Sequence, residues 1–135
     1  MGRVAALDPG TKRIGVAVSD SQWTFAFPRD AWPADGDLES LARALVDDEN
    51  VDIIVVGRPV SLTGRETAST AEADALAARI ASAVTATVER IDERLTTVTA
   101  SQHLRQSGFS GAEQRRRVDS AAACVILEAW LEAQQ

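Results

Sequence analysis

The feature that most constrains the fold is a Val/Ile-rich run from Val51 to Val56, which ends at Gly57. A strand of this composition is typical of the centre of a sheet covered on both faces, because a strand with one solvated face alternates apolar and polar residues. An amphipathic helical pattern over residues 37–48 precedes the run, and an Ala-rich helical pattern over residues 69–82 follows it. This alternation of strands and helices predicts a layered α/β or α+β domain.

Short strands and a final helix complete the predicted order of elements. The remaining predicted elements are strands at residues 3–8, 14–18, 23–27 and 85–91, a loop at residues 57–66, and helices at residues 96–107 and about 110–132. Pro9 and Gly10 lie between the first two strands and predict a hairpin turn. Pro28 is expected to end the third strand. Ser110 and Glu113 match a capping box, which predicts the start of the last helix.

Length and composition predict one domain spanning residues 1–135. Apolar residues make up 45% of the chain and charged residues 25%, values typical of a globular protein. No apolar stretch approaches the roughly 20 residues that a membrane span needs, and nothing resembles a signal peptide. Cys124 is the only cysteine and has apolar neighbours, so we expect a buried structural thiol and no disulfide within the chain. We therefore expect a cytoplasmic protein with no membrane partner.

The distribution of charge gives mixed indications. The formal net charge of −6 argues against a nucleic-acid-binding protein, which usually carries a basic surface. Basic residues are nevertheless clustered at Lys12–Arg13 and at Arg115–Arg117. Nearly all of the basic residues are arginine, which suits bidentate contacts with phosphate. We attribute this excess of arginine to the composition of the genome rather than to function.

Acidic residues stand at positions where strands and a helix could bring them together. Asp8 ends the first strand, Asp92 and Glu93 end another, and Asp119 lies in the final helix. Ligands usually bind at strand ends in such sheets. Converging carboxylates repel one another, and Mg²⁺ or Mn²⁺ relieves that repulsion because these cations prefer oxygen ligands. Such ions activate water and stabilise the leaving oxygen in phosphodiester cleavage.

Taken singly, each acidic residue also has a structural interpretation, and the residues alone leave both open. Asp8 precedes Pro-Gly and is a common residue type for opening a turn. Asp92 and Glu93 could be solvated residues at a strand end, and Asp119 could pair with arginines one turn earlier in its helix. His103, the single histidine, is expected on a helix surface.

Four segments, in order along nearly the whole chain, resemble motifs of the YqgF/RuvX family. They are Leu7–Asp20, Val55–Pro59 with Leu62–Gly64 after it, Asp92–Thr97, and Arg117–Ala123 with Ile126–Leu127 after it. The family is described as pre-16S rRNA nucleases and as Holliday-junction-resolvase-like. The resemblance implies a ribonuclease H-like fold, with a mixed five-stranded sheet flanked by helices, and divalent-metal-dependent hydrolysis of phosphodiesters.

The resemblance also implies roles for individual residues. The implied catalytic residues are Asp8, Asp92, Glu93 and Asp119, with Asp8, Glu93 and Asp119 as ligands of Mg²⁺ or Mn²⁺. Adjacent strand residues point to opposite faces, so only one of Asp92 and Glu93 is expected to face the metal, and which one stays open. The residues expected to contact the substrate are Lys12, Arg13, Arg94, Arg115 and Arg116.

The expected function is cleavage of RNA phosphodiesters in 5′-end maturation of pre-16S ribosomal RNA, by a monomer or homodimer. The closest alternative is an endonuclease specific for branched DNA such as a Holliday junction. An ATP-binding module is a further alternative, since actin-like ATPases share the type of turn that follows Asp8. Those proteins need two such domains, however, and this length provides one. A non-catalytic nucleic-acid-binding protein is the last alternative, although all the candidate acids are present.

Overall fold

The computed structural model describes residues 2–95 and 120–134, which form a mixed five-stranded sheet with helices on both faces. The elements are, in chain order, β1 (Arg3–Asp8), β2 (Arg13–Ser19), β3 (Ala26–Pro33), α1 (Leu38–Glu49), β4 (Val51–Arg58), α2 (Ala68–Ala83), β5 (Thr87–Asp92) and α3 (Ala121–Ala133). The strand order is β3-β2-β1-β4-β5. β2 is antiparallel to both β1 and β3, whereas β1, β4 and β5 are parallel. The predicted α/β architecture is confirmed.

The Val/Ile-rich run forms β4 between β1 and β5, as its composition predicted. Ile54 and Val56 pack towards α1 and α2, and Val55 packs towards α3, so both faces of the strand are covered. Gly57, expected to end the run, instead lies within β4 and pairs with Ile91 of β5. The loop predicted to start at residue 57 therefore starts only after Arg58.

Helix α3 covers one face of the sheet and carries the buried cysteine. Ile126 and Leu127 pack against Val4 and Val55 in the core of this face. Cys124 is fully buried in the same cluster, as expected. Burial raises the pKa of its thiol to about 12, so the thiol stays protonated and unreactive.

The prediction for the third strand was wrong. β3 begins at Ala26 rather than near Trp23, and Pro28 lies inside it opposite Ala17. β3 is an edge strand, where a proline can be accommodated without the loss of a ladder hydrogen bond. The preceding segment is a turn organised by Asp20, whose carboxylate accepts hydrogen bonds from the backbone N–H groups of Thr24 (2.7 Å) and Phe25 (2.9 Å).

The predicted helices and their starts agree closely with α1 and α2. Asp37 caps α1 by accepting a hydrogen bond from the Ser40 N–H, and Thr67 caps α2. The helix predicted at residues 96–107 and the capping box at Ser110 lie outside the described residues. No helix within residues 2–95 and 120–134 is long and apolar enough to cross a membrane.

Candidate active site

The site lies at the end of the sheet where β1, β4 and β5 terminate. Asp8 is the last residue of β1 and is partly buried. Alternate residues of a strand share a face, and Ala6 packs in the core beneath α3, so Asp8 lies on the α3 side of the sheet. Ile91 of β5 packs against this same core. Glu93 follows β5 directly, at the start of a short 3₁₀ turn.

Asp8 and Glu93 meet through their side chains. Burial, together with the hydrogen bond and the negative charge of Asp8, raises the pKa of Glu93 to about 9. At neutral pH the Glu93 carboxyl is therefore protonated and donates a hydrogen bond to the Asp8 carboxylate. Two carboxyl groups in such an arrangement cannot both ionise without a compensating positive charge.

Strand β4 lies between the strands that carry Asp8 and Glu93. The Glu93 side chain crosses β4 at Gly57. Val56 pairs with Leu7, so Gly57 and Asp8 are the next residues on their two strands. A Cβ atom on Gly57 would lie only 2.5 Å from Oε1 of Glu93. The Glu93 carboxyl therefore lies directly against the backbone of β4, between β5 and β1.

Asp92 has a different set of partners. Its carboxylate accepts hydrogen bonds from the backbone N–H of Arg94 (2.9 Å) and from the Arg94 guanidinium, with Nη2 at 2.6 Å. The Arg94 side chain holds the pKa of Asp92 below its usual value. The structure thus brings Glu93, and not Asp92, to Asp8.

The predicted substrate-contacting residues occupy two places among the described residues. Lys12, in the turn between β1 and β2, and Arg13, the first residue of β2, are exposed at the same end of the sheet as Asp8. Arg94 is also exposed, but its guanidinium both binds Asp92 and donates to the carbonyl oxygen of Leu62 at 3.4 Å. It therefore joins the loop after β4 to the segment after β5.

Three predicted site residues, Asp119, Arg115 and Arg116, lie outside the described part of the chain, as do Arg117 and the histidine expected on a helix surface, His103. The chain is described again from Ser120, which is fully buried. The Ser120 hydroxyl accepts a hydrogen bond from the Val16 N–H (3.0 Å) and donates one to the Arg29 carbonyl (2.6 Å). Val16 follows Gly15, the partner of Asp8 in the sheet.

Ser120 and Gly57 were missed by reasoning from sequence. A serine before an Ala-rich helix suggests an N-cap, but the Ser120 hydroxyl makes no capping bond and instead bridges β2 and β3. The bridge lies where the β2–β3 register shifts, between Ile14 and Val16. For Gly57 there was a usable signal, because a glycine within a strand marks a bulge or a close approach.

The donors at the site suit a divalent cation. Asp8 and Glu93 supply carboxylate oxygens, the ligand type that Mg²⁺ and Mn²⁺ prefer. A cation would also offset the burial and the negative charge of Asp8 that together keep Glu93 protonated. Within the two described ranges no group of three or more His, Cys, Asp or Glu side chains is arranged to hold a metal. The third predicted ligand, Asp119, lies outside those ranges.

Comparison with known proteins identifies the family. The sequence profile of the RuvX family, described as Holliday junction resolvase, matches residues 2–133. A protein of Leifsonia xyli subsp. xyli named "Putative pre-16S rRNA nuclease" is 43% identical over 96% of this chain and 84% of its own length. Proteins of the same name from an Anaeromyxobacter species and Maridesulfovibrio salexigens are 42% and 35% identical, each over 96% of this chain and over 96% and 97% of their own lengths.

Two solved structures share the fold. The fowlpox virus resolvase, in complex with Holliday junction DNA, superposes with a TM-score of 0.62 at 10% identity, over 98% of each chain. RuvC of T. thermophilus, in complex with a Holliday junction substrate, superposes with a TM-score of 0.61 at 16% identity, over 99% of this chain and 96% of RuvC. These likenesses confirm the predicted ribonuclease H-like fold. Because the family profile and these relatives match nearly its whole length, this chain belongs to the RuvX family.

Proposed function

We propose that this protein is a divalent-metal-dependent nuclease that hydrolyses RNA phosphodiester bonds in 5′-end maturation of pre-16S ribosomal RNA. The observation that carries the proposal is the meeting of Asp8 and Glu93 at the sheet end of a RuvX-family chain. Two partly buried acids held this close are costly to ionise together, because burial and like charge both oppose it. Such a pair is well suited to binding a cation.

Asp8 and Glu93 would hold Mg²⁺ or Mn²⁺, with Asp119 as a third carboxylate. Such an ion, when bound, supplies Lewis-acid activation of water and neutralises charge on the phosphate oxygens. We assign Glu93 rather than Asp92 to the metal, because the Asp92 carboxylate is engaged by Arg94. Asp92 then acts indirectly, by fixing Arg94 beside the site.

Binding of the substrate would rely on basic residues near the acid pair. Lys12 and Arg13 lie at the turn directly after Asp8, within reach of a phosphate backbone that crosses this end of the sheet. We propose the same role for Arg115 and Arg116, which precede Asp119 in the sequence. These contacts would offset the negative net charge of the chain only near the site. Because they are contacts between basic side chains and phosphates, the affinity for RNA should fall as the salt concentration rises.

Ribosomal RNA is the substrate that the curated relatives support, since they carry the name of a pre-16S rRNA nuclease. Branched DNA is the second candidate, favoured by the family description and by the fold of resolvases solved with Holliday junctions. We further propose that residues 1–135 act as one nuclease domain in the cytoplasm.

A cleavage assay separates these substrates. The purified protein would be incubated with Mn²⁺ and either an RNA containing the 5′ flank of 16S rRNA or a four-way DNA junction. We expect cleavage of the RNA, and loss of at least about 100-fold in rate for Asp8→Asn, because even residues that only support metal ligands contribute about 10- to 100-fold. Asp47→Asn, which alters an exposed acid in the last turns of α1, is the matched control and should cleave normally.

Faster cleavage of the junction than of the RNA would show that branched DNA, and not RNA, is the preferred substrate. An Asp8→Asn variant as active as the wild type would show that the site is misassigned. Binding of RNA without any metal-dependent cleavage would identify a non-catalytic RNA-binding protein.

A further inference from the structure

We propose that Gly57 is a positioning residue of the metal site, because the absence of its side chain allows the Glu93 carboxyl to cross β4 and reach Asp8. The inference rests on the function proposed above. It starts from an anomaly: a glycine inside a central strand is unfavourable, since it weakens the strand and contributes no side chain to the core.

The backbone of Gly57 gives no reason for glycine. Among the described glycines only Gly64 has a positive φ, so Gly57 has a conformation that other residues adopt without strain. It pairs with Ile91 in an uninterrupted parallel ladder. An alanine at this position would satisfy the backbone, and its absence calls for another explanation.

Space above the strand supplies that explanation. A Cβ on Gly57 would lie 2.5 Å from Oε1 and 3.0 Å from Cδ of Glu93, and 2.7 Å from Cδ1 of Ile126 in α3. Distances below 3.0 Å are not tolerated, so one or both side chains would have to move. Both contacts involve the far ends of flexible side chains, so the fold can absorb an added methyl group.

The two contacts have different consequences. Ile126 can shift its terminal methyl within an apolar core at a modest cost in packing. Glu93 cannot shift without withdrawing its carboxyl from Asp8, because its path from β5 to β1 runs over residue 57. Any side chain at this position would therefore separate the two acids while leaving the sheet intact.

Gly57→Ala tests the inference, with the affinity for Mn²⁺ alone measured by calorimetry. We expect the variant to unfold cooperatively like the wild type but to bind Mn²⁺ about tenfold more weakly, as is typical when a residue that orients a metal ligand is lost. Its affinity for RNA without metal should not change. The rate of RNA cleavage should fall along with the Mn²⁺ affinity.

Double variants distinguish the contact of residue 57 with Ile126 from its contact with Glu93. Ile126→Val removes the Cδ1 atom, and Gly57→Ala should remain harmful in that background. Glu93→Asp shortens the acid so that it no longer spans residue 57, and Gly57→Ala should then have no further effect. If Ile126→Val abolishes the effect of Gly57→Ala, the glycine serves core packing and the inference is wrong.

A crystal structure of the metal-free Gly57→Ala variant shows directly whether Glu93 still reaches Asp8, whatever the function of the protein. We expect the Glu93 carboxyl to be displaced from Asp8 in an otherwise unchanged sheet. An intact Asp8–Glu93 hydrogen bond would overturn the inference, whether or not the wild type proves to be a nuclease. If the wild type binds no Mn²⁺ but the displacement is seen, the proposed function fails, and Gly57 positions Glu93 against Asp8 without serving a metal site.

Discussion

Glu93 donates a hydrogen bond to Asp8 across the strand that separates β5 from β1. The two residues are far apart in sequence and lie at the ends of strands that are not neighbours in the sheet. Their meeting joins the first and third motifs of the chain into one site.

The stability of the metal-free protein should fall as pH rises from about 4.5 to about 9. The folded protein holds a proton on Glu93 in this range, because the pKa is raised to about 9 from the 4.5 of an unperturbed glutamate. The unfolded chain releases that proton above pH 4.5, so the stabilisation is complete below this pH and is lost as pH approaches 9.

Glu93→Gln should remove this dependence, because glutamine is neutral at every pH and can still donate to Asp8. The measurement is urea unfolding of wild type and variant, without metal, at several values between pH 5 and pH 9. The difference between the two proteins isolates Glu93 from other titrating groups. A difference that stays constant with pH would contradict the assigned protonation of Glu93.

The neighbouring acids Asp92 and Glu93 should differ sharply in their effect on cleavage. Glu93→Gln removes a proposed metal ligand and should reduce the rate of RNA cleavage at least about 100-fold. Asp92→Asn retains the position of Glu93 and should mainly loosen Arg94. Its rate should therefore stay much closer to the wild type. Equal losses in the two variants, measured as Mn²⁺-dependent rates, would contradict the choice of Glu93.

Arg94 should contribute to RNA binding chiefly by holding the loop after β4, through its contact with Leu62. Its guanidinium binds Asp92 and the Leu62 carbonyl at once, and a lysine cannot reproduce this forked geometry although it keeps the charge. Arg94→Lys should therefore impair RNA binding nearly as much as Arg94→Ala, as measured by fluorescence anisotropy. Full binding by the lysine variant would instead indicate a simple charge contact with phosphate.

Ser120 should contribute strongly to stability. Ser120→Ala leaves the Val16 N–H and the Arg29 carbonyl without their partner at a fully buried position. We expect a loss of about 1–3 kcal/mol in the free energy of unfolding. Ser40→Ala, at an exposed position in α1, is the matched control and should change it by less than about 0.5 kcal/mol. Similar losses from the two substitutions would contradict the anchoring role.

Local patterns in the sequence predicted most of the described fold. The Val/Ile-rich run identified the central strand, because burial on both faces dictates its composition. The Pro-Gly turn after Asp8 predicted the hairpin of β1 and β2. The position of β3 was not predictable in the same way. Pro28 ends a strand in most contexts, and only the edge position of β3, a property of the whole sheet, permits it.

The site was only partly predictable for a related reason. Motif resemblance named Asp8 and the Asp92–Glu93 pair, but adjacent acids are distinguished only by which face each one occupies. That depends on where β5 ends and on where Arg94 reaches. Likewise the role of Gly57 depends on a side chain that arrives from another strand. Sequence patterns report local structure well, but they do not report contacts between distant segments.

The most direct test of the central claim is anomalous diffraction from crystals of the wild-type protein soaked in Mn²⁺. We expect a manganese peak bound by carboxylate oxygens of both Asp8 and Glu93, with the hydrogen bond between them broken. A peak that is absent under conditions of full RNA cleavage, or one that contacts Asp92 and not Glu93, would contradict it.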